Sequence, residues 1–273
     1  MKIAHVGPII GLFGILLSLT SCKNQQAEAQ ETNAGRKLVR EAIEAHGGIE
    51  KWRNNGSLQF RWSYHMTDRD RVADSLQVVN PITYEATHSV PDSEMKFGRA
   101  KDGSYWVTPP EATFFPPVQF WTLTPIYFIG IPFVFEDDQI NYELLSEPKE
   151  FQGKDYTQVK ITYQTGAGES ADDFYVMLID PETKLVRGAY YIVTNPLVYK
   201  GGPTIEKFIS LDNLTEVGGL LLAGGHKTYS MTDGVIGDQL RFTEVSDVKF
   251  LKNENVDFSV PEGAKILEPV PKS

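Results

Sequence analysis

The chain after residue 56 alternates repeatedly between apolar and polar side chains. In residues 58–66, the even positions are apolar or aromatic and the odd positions are polar, which is the period of a strand with one buried and one solvated face. Turn residues such as Asp180-Pro181 and Asp233-Gly234 separate many of the later runs. The further runs are residues 75–79, 83–88, 94–99, 105–108, 157–164, 174–179, 185–194, 205–211, 226–231 and 240–250. We therefore predict an antiparallel sheet of about eleven strands.

One amphipathic helix precedes this sheet. Between residues 36 and 52, apolar side chains such as Leu38 and Val39 recur at spacings of three and four, as on one face of a helix. Gly47-Gly48 interrupts the helix, and Asn54-Asn55-Gly56 ends the helical region. A helix followed by many antiparallel strands predicts a single α+β domain over residues 34–273, and not a parallel βαβ fold.

The proline-rich segment, residues 109–135, breaks the strand rhythm. It reads PPEATFFPPVQFWTLTPIYFIGIPFVF, and its prolines exclude a long regular helix or strand, so we expect short helical turns joined by bends. Its apolar surface must still be covered. Two interpretations are equally open: the segment is a plug that closes an open sheet, or it is the lining or lid of a hydrophobic cavity.

The first residues have the pattern of an export signal. Lys2 precedes a largely apolar run over residues 3–19, and Thr20-Ser21 follows. A membrane-spanning helix is the alternative interpretation, but about 17 residues that include a proline and three glycines are short for a bilayer. We expect residues 1–21 to be a cleaved signal peptide.

A lipid anchor is predicted at the end of this signal. Residues 19–22, Leu-Thr-Ser-Cys, resemble the lipobox of bacterial lipoproteins, and Cys22 is the only cysteine, so it has no disulfide partner within the chain. Acyl chains on Cys22 would attach the protein firmly to a membrane. In bacterial lipoproteins, an aspartate directly after this cysteine resembles a signal for retention in the inner membrane. Because Lys23 occupies that position, the resemblance favours the outer membrane. Residues 22–33 are almost free of apolar side chains and should form a flexible tether.

The acidic composition narrows the classes of partner. The chain carries a net charge of −10, and 41% of its residues are hydrophobic. Nucleic acid phosphates and anionic lipid head groups repel such a chain, so we predict no nucleic acid partner and expect membrane attachment to depend on the acyl chains. The apolar content is sufficient for one sizeable core.

No catalytic or metal-binding motif is recognisable in the sequence. A GxSxG elbow and a Walker-type glycine loop are absent. Four histidines show no metal-ligand spacing; they are His46, His65, His88 and His226. We therefore predict a non-enzyme without cofactor or metal.

Three polar features have structural explanations. Asp137-Asp138 and Asp172-Asp173 are adjacent pairs, and neighbouring strand residues point to opposite faces, so we expect solvated turns or strand ends and not catalytic dyads. His46 precedes a glycine pair, and we expect its side chain to interact with the last carbonyls of the helix.

Several motifs together resemble the LolA/LolB-like lipoprotein-carrier superfamily, and specifically a Bacteroidetes branch of it. They are the lipobox, Ala45-His46-Gly47-Gly48 followed by Trp52, residues 127–135, and residues 174–180 followed by Thr183 and Leu185. The resemblance implies a strongly curved, unclosed half-barrel whose concave face is covered by the N-terminal helix and short helical segments. It also implies that this concavity receives an acyl chain.

We therefore expect an outer-membrane lipoprotein that binds or passes on a lipid or acyl chain without catalysis. The alternatives are a structural or assembly lipoprotein that acts through an envelope protein partner, and, less favoured, a hydrolase assembled from distant residues. The predicted ligand-binding residues are Trp62, Tyr64, Trp106, Phe115, Phe120, Trp121, Tyr127, Phe128 and Phe133.

Overall fold

The computed structural model describes residues 33–164 and 172–270. The expected signal peptide (residues 1–21), the lipid attachment at Cys22 and all but the last residue of the tether (residues 22–33) lie outside the described residues. Within the described ranges, no helix combines the length and the apolarity needed to cross a membrane.

Fifteen antiparallel strands form one curved sheet that does not close on itself. They are β1 (Ser57–Met66), β2 (Arg71–Val79), β3 (Ala86–Ser89), β4 (Lys96–Arg99), β5 (Tyr105–Thr108), β6 (Ile140–Leu144), β7 (Lys149–Phe151), β8 (Lys154–Tyr163), β9 (Phe174–Ile179), β10 (Val186–Tyr191), β11 (Lys207–Ser210), β12 (Asp212–Val217), β13 (Leu220–Thr232), β14 (Val235–Leu251) and β15 (Lys265–Ile266). Their order in the sheet is β15-β5-β4-β3-β2-β1-β14-β13-β11-β10-β9-β8-β6, with β12 beside β13 and β7 beside β8. The unclosed, curved antiparallel sheet agrees with the predicted fold class.

The predicted strand number was wrong, because four strands lack the pattern used to find strands. β7 has three residues and β15 has two, which is too short for an alternation to register. β12 contains no buried residue, so its sequence has no apolar face. β6 alternates over only five residues and directly follows Asp137-Asp138, which we interpreted as a return to solvent.

The helical elements are short and follow the sequence signals. Helix α1 (Ala34–Ala45) begins after Asn33, whose side chain accepts a hydrogen bond from the Arg36 backbone N–H at 3.0 Å. Helix α2 (Ile49–Asn54) follows the glycine pair. Gly47 has φ +113°, and a Cβ there would lie 2.2 Å from the Gly219 carbonyl oxygen, so this position requires glycine.

The proline-rich segment forms helix α3 (Val118–Trp121), helix α4 (Thr124–Ile129) and a 3₁₀ turn (Phe133–Phe135). The prediction of short helical turns is therefore confirmed. The segment connects β5 to β6, which lie towards opposite ends of the strand order, so it crosses the concave face of the sheet from one side to the other.

Helix α1 and helix α2 cover one end of the concave face. Val39 and Ile43 of α1 and Trp52 of α2 are buried in the main apolar core. The His46 ring connects this region to the sheet, because its Nε2 accepts a hydrogen bond from the Val186 backbone N–H at 3.0 Å, and its Nδ1 donates to the Leu221 carbonyl at 2.9 Å. The expectation that the His46 side chain caps the last helical carbonyls was wrong. Its partners are backbone groups at the beginning of β10 and β13.

Candidate ligand-binding cavity

A cavity of about 890 Å³ lies between the concave face of the sheet and the proline-rich segment. It is at the end of the sheet opposite α1 and α2, because its lining includes Met66 and Tyr191, the last residues of β1 and β10, and Lys207, the first of β11. Its mouth is partly open, since Ile205 is 72% exposed and also lines it.

The sheet side of the cavity is built by strand alternation. Trp62 and Tyr64 face inward from β1, and Ile209 and Thr228, which are paired with each other, face inward from β11 and β13. The residues between them point to the other face of the sheet. The even positions of residues 58–66, which the sequence marks as apolar, therefore share one face, and those nearest the end of β1, Trp62, Tyr64 and Met66, form part of the cavity floor while Leu58 and Phe60 belong to the core.

The proline-rich segment supplies the opposite wall and packs on the sheet through ring contacts. The Trp121 ring lies 5.4 Å from the Tyr64 ring, and the Phe128 ring lies 6.5 Å from Trp62 and 5.2 Å from Tyr191, measured between centroids. Such distances are typical of favourable aromatic pairs. The segment also fills core, since Ile126, Ile129 and Phe135 are fully buried. Both interpretations of the segment therefore apply, to different residues.

Seven of the nine residues predicted to bind ligand line this cavity; they are Trp62, Tyr64, Phe115, Phe120, Trp121, Tyr127 and Phe128. Trp106 and Phe133 do not. Trp106 is paired with Gly98 on the face of the sheet opposite to Phe97 and the main core, and Phe133 stacks on Trp52 at 5.0 Å beneath α2. Aromatic content alone could not separate lining from packing residues.

Three further tyrosines belong to the lining, and the sequence interpretation missed them. Tyr163, Tyr175 and Tyr191 all line the cavity from the ends of β8, β9 and β10. Burial raises the pKa of each of these phenols, so they remain neutral hydrogen-bonding groups. Strand alternation could have predicted that these tyrosines face inward. It could not have predicted that they lie at the end of the sheet that forms the cavity.

Asp173 lies beside these tyrosines and directly precedes β9, so it is at a strand end as predicted, but its side chain is not solvated. Its carboxylate is half-buried, lines the cavity, and accepts hydrogen bonds from the backbone N–H and the hydroxyl of Thr194 at 2.6 and 2.7 Å. Burial raises its pKa, against the effect of these two bonds. Asp172 is exposed, as expected.

Cationic side chains outnumber acidic ones in the lining. They are Arg69, Arg99, Lys200, Lys207 and Arg241, against Asp137 and Asp173. Arg241 forms a two-point ion pair with Asp68, at 2.9 and 2.7 Å, and also donates to the Tyr64 hydroxyl at 2.9 Å. The Lys207 ammonium, in contrast, forms no hydrogen bond or ion pair with any described residue. Burial, followed by the nearby charges of Arg241 and Arg69, lowers the pKa of Lys207 to about 8.

Two serine–histidine contacts are present among the described residues, and neither has the arrangement that a hydrolase requires. Ser75 Oγ lies 3.0 Å from His88 Nδ1, but His88 Nε2 donates to the Thr122 backbone carbonyl and both side chains are fully buried. A catalytic histidine is instead oriented by a carboxylate and reachable by substrate. The second pair, Ser63 and His65, lies outside the cavity. Among the described residues, no three histidine, cysteine or acidic side chains converge on a metal site.

The geometry can be compared with known proteins. No family model matches the sequence, and no curated protein is significantly similar to it. Its fold is similar to that of a DUF1329 family protein from Desulfovibrio piger, with a TM-score of 0.50 and 10% sequence identity over 80% of this chain and 94% of that chain. The two chains share a fold.

Two further solved structures are less similar. A LolA superfamily protein from Nitrosomonas europaea has a TM-score of 0.48 at 10% identity, over 80% of this chain and 94% of that chain. A protein domain from Vibrio parahaemolyticus, described as outer membrane lipoprotein-sorting, has a TM-score of 0.40 at 11% identity, over 78% of this chain and 93% of that chain. At these identities the likeness concerns the fold and not the ligand.

Proposed function

We propose that this chain is a non-catalytic, lipid-anchored protein of the outer membrane that binds a lipid or acyl chain in the cavity beneath the proline-rich segment. The observation that carries the proposal is the cavity itself. Its volume of about 890 Å³ is within the range of about 300–1,000 Å³ found for small-molecule sites. Its sheet floor and its opposite wall both present aromatic rings, which favour an apolar ligand.

The kind of ligand and the location are inferred from the sequence. The resemblance to the LolA/LolB-like superfamily implies an acyl chain in the same concavity, and the lipobox-like residues 19–22 imply attachment through Cys22. The alternative of a structural lipoprotein with a filled core is less well supported, because side chains leave this volume open. An envelope protein partner is compatible with either function.

The test is native mass spectrometry of the protein expressed from residue 23 onward. All fifteen strands and the main core lie within residues 33–270, so this chain keeps every described element. We expect it to carry a lipid from the host, or to take up added lipid in a ratio of one to one. A protein that is empty after gentle purification and ignores added fatty acids and lipopeptides would refute the proposal.

A variant that fills the cavity locates the binding. Leu123 lines the cavity from the proline-rich segment and is only half-buried, so Leu123→Trp adds bulk there with little strain on the core. We expect this substitution to reduce lipid uptake. The matched control is Leu144→Trp on β6, where the leucine is 44% exposed and does not line the cavity; uptake should stay at the wild-type level.

A further inference from the structure

The charge of the cavity is opposite to the charge of the protein. The whole chain has a net charge of −10, yet its cavity lining contains five lysine or arginine residues and two aspartates. A purely apolar ligand would gain nothing from these cations, and each of them loses hydration where it is partly buried. Their concentration in one lining indicates a ligand that has a negative group.

Lys207 is the cation best placed for such a group. It is the first residue of β11 and shares the inward face of that strand with Ile209, whose side chain also lines the cavity. It is half-buried, and its ammonium has three donors with no partner among the described residues. A buried lysine normally acquires an acidic partner. Here the nearby carboxylate, Asp68, is paired with Arg241 and Arg69 instead and forms no ion pair with Lys207.

Two arginines extend the positive region around Lys207. Arg241 lies diagonally across β13 from it, because Lys207 pairs with Ser230 and Arg241 pairs with Thr228; two strand spacings and two residues along β13 put the two backbones about 12 Å apart. Arg69 also lines the cavity. Their shared acidic neighbour is Asp68, at 2.7 Å from Arg241 and 3.7 Å from Arg69. One carboxylate among three cations leaves an excess of two positive charges.

The same region adjoins the aromatic wall. The Arg241 guanidinium donates to the Tyr64 hydroxyl at 2.9 Å, and the Tyr64 ring packs on Trp121 of the proline-rich segment at 5.4 Å. The cationic group and the apolar wall are therefore joined by direct contacts. This is the arrangement that an amphiphile requires, because its charged head and its chain must be bound side by side.

We propose that the ligand is an anionic amphiphile whose carboxylate or phosphate head group binds Lys207, with Arg241 and Arg69 beside it, while its hydrocarbon chain lies between the sheet and the proline-rich segment. This inference rests on the proposed function and specifies its ligand class. Lys207 provides the free donors. Arg241 is already held by Asp68 and Tyr64, so it contributes charge and a fixed orientation.

The competing explanation is that Lys207 only packs its stem against the apolar lining and extends its ammonium to water at the mouth. The experiment must therefore separate the charge of the ligand from its chain. Three ligands with the same oleoyl chain do so: oleate (a carboxylate), oleoyl lysophosphatidic acid (a phosphate) and the uncharged monoolein. Binding to the chain from residue 23 onward is measured by calorimetry or by tryptophan fluorescence, since Trp62 and Trp121 line the cavity.

The variants isolate the ammonium of Lys207. Lys207→Met keeps the stem and removes the charge, and we expect it to weaken binding of the anionic ligands by about tenfold or more while monoolein binding is unchanged. Lys207→Arg should retain anionic binding. The matched control is Lys227→Met on β13, because Lys227 is exposed and is not in the lining. Circular dichroism of each variant checks that it is folded.

A pH titration provides a second readout. The pKa of Lys207 is lowered to about 8, so wild-type affinity for oleoyl lysophosphatidic acid should fall between pH 7 and pH 9.5. Lys207→Arg should keep its affinity over this range, since arginine remains protonated.

Each outcome decides between the claims. Preference for one anionic ligand supports the proposal and identifies carboxylate or phosphate as the head group. If the wild type and Lys207→Met bind all three ligands equally, the head-group assignment is overturned while lipid binding stands. If no ligand binds to the folded protein, both the assignment and the proposed function fall.

Discussion

Buried histidines should make this protein sensitive to mild acid. His88 and His226 are at most 2% exposed. Burial lowers the pKa of His88 to about 3 and that of His226 to about 4, and burial also lowers the pKa of His46. Folded histidines of this kind stay neutral. Their contribution to stability is complete above the unfolded pKa of about 6.5 and is lost as the pH falls towards the folded pKa.

The magnitude follows from the linkage between protonation and folding. For one histidine that is protonated only in the unfolded chain, lowering the pH from 7 to 5 reduces the free energy of unfolding by about 1.9 kcal/mol. His88 and His226 together should therefore cost about 3.7 kcal/mol, and His46 adds to this loss. Domains of ordinary stability have about 5–15 kcal/mol in total, so the effect should be large.

Urea unfolding followed by tryptophan fluorescence at pH 7, 6 and 5 measures this loss. His226 Nδ1 donates to the Ser210 carbonyl at 3.0 Å, and His226→Asn keeps a donor near that position. We expect the variant to lose about 1.9 kcal/mol less than the wild type between pH 7 and 5. The raised pKa of Asp173 acts in the opposite direction, but it is present in both proteins and cancels.

The control is Ile126→Val, which shortens a fully buried side chain at a cost of about 0.5–1.5 kcal/mol and keeps every histidine. It should have the same pH dependence as the wild type at a lower stability. If His226→Asn retained the full pH dependence of the wild type, the histidine would be accessible to protons in the folded state, and the reasoning would be refuted.

Three further substitutions test the packing. Gly98→Ala would place a Cβ 2.8 Å from the Trp106 ring and should cost at least about 1–3 kcal/mol in urea unfolding; an unchanged midpoint would contradict the close packing. Phe133→Ala removes the ring stacked on Trp52 and should reduce the free energy of unfolding by about 3–5 kcal/mol. The lipid affinity of the folded protein should not change, and a loss of affinity would show that Phe133 contributes to ligand binding. Asp173→Asn keeps an acceptor for both bonds to Thr194. Because burial raises the pKa of the Asp173 carboxyl, the substitution should raise stability more at neutral pH, where the buried charge is present, than in acid that protonates the carboxylate. The opposite trend in urea unfolding would contradict its burial.

The strands and the turns of the proline-rich segment could be predicted because local chemistry determines them. Residues 58–66 alternate for nine positions, and one register alone buries all of their apolar side chains. The prolines of residues 109–135 forbid regular structure wherever the chain folds. β12 and β15 could not be found in this way, because their backbone pairing is decided by neighbouring strands and their side chains remain largely exposed.

The cavity was only partly predictable, for a related reason. Sequence shows which face of a strand a residue occupies, but not where along the curved sheet it lies. Trp106 and Phe133 were therefore grouped with Trp121, although they lie outside the cavity lining. Lys207 had a signal of its own, since it alternates in register with Ile205 and Ile209 in the predicted strand 205–211, and a lysine on an apolar face is unusual.

The path of the proline-rich segment has a mechanical consequence. Because it joins β5 to β6 across the concave face, its length limits the distance between the two sides of the curved sheet. The two sides of the sheet cannot spread apart unless this segment straightens or shifts, and a bulky ligand that pushes the segment away from the sheet must draw the two sides together. The hydrogen bond between His88 and the Thr122 carbonyl, at 3.0 Å, attaches the segment to the sheet near the middle of residues 109–135. The diameter of a bound ligand therefore affects the curvature of the whole sheet and not only the side chains that contact the ligand.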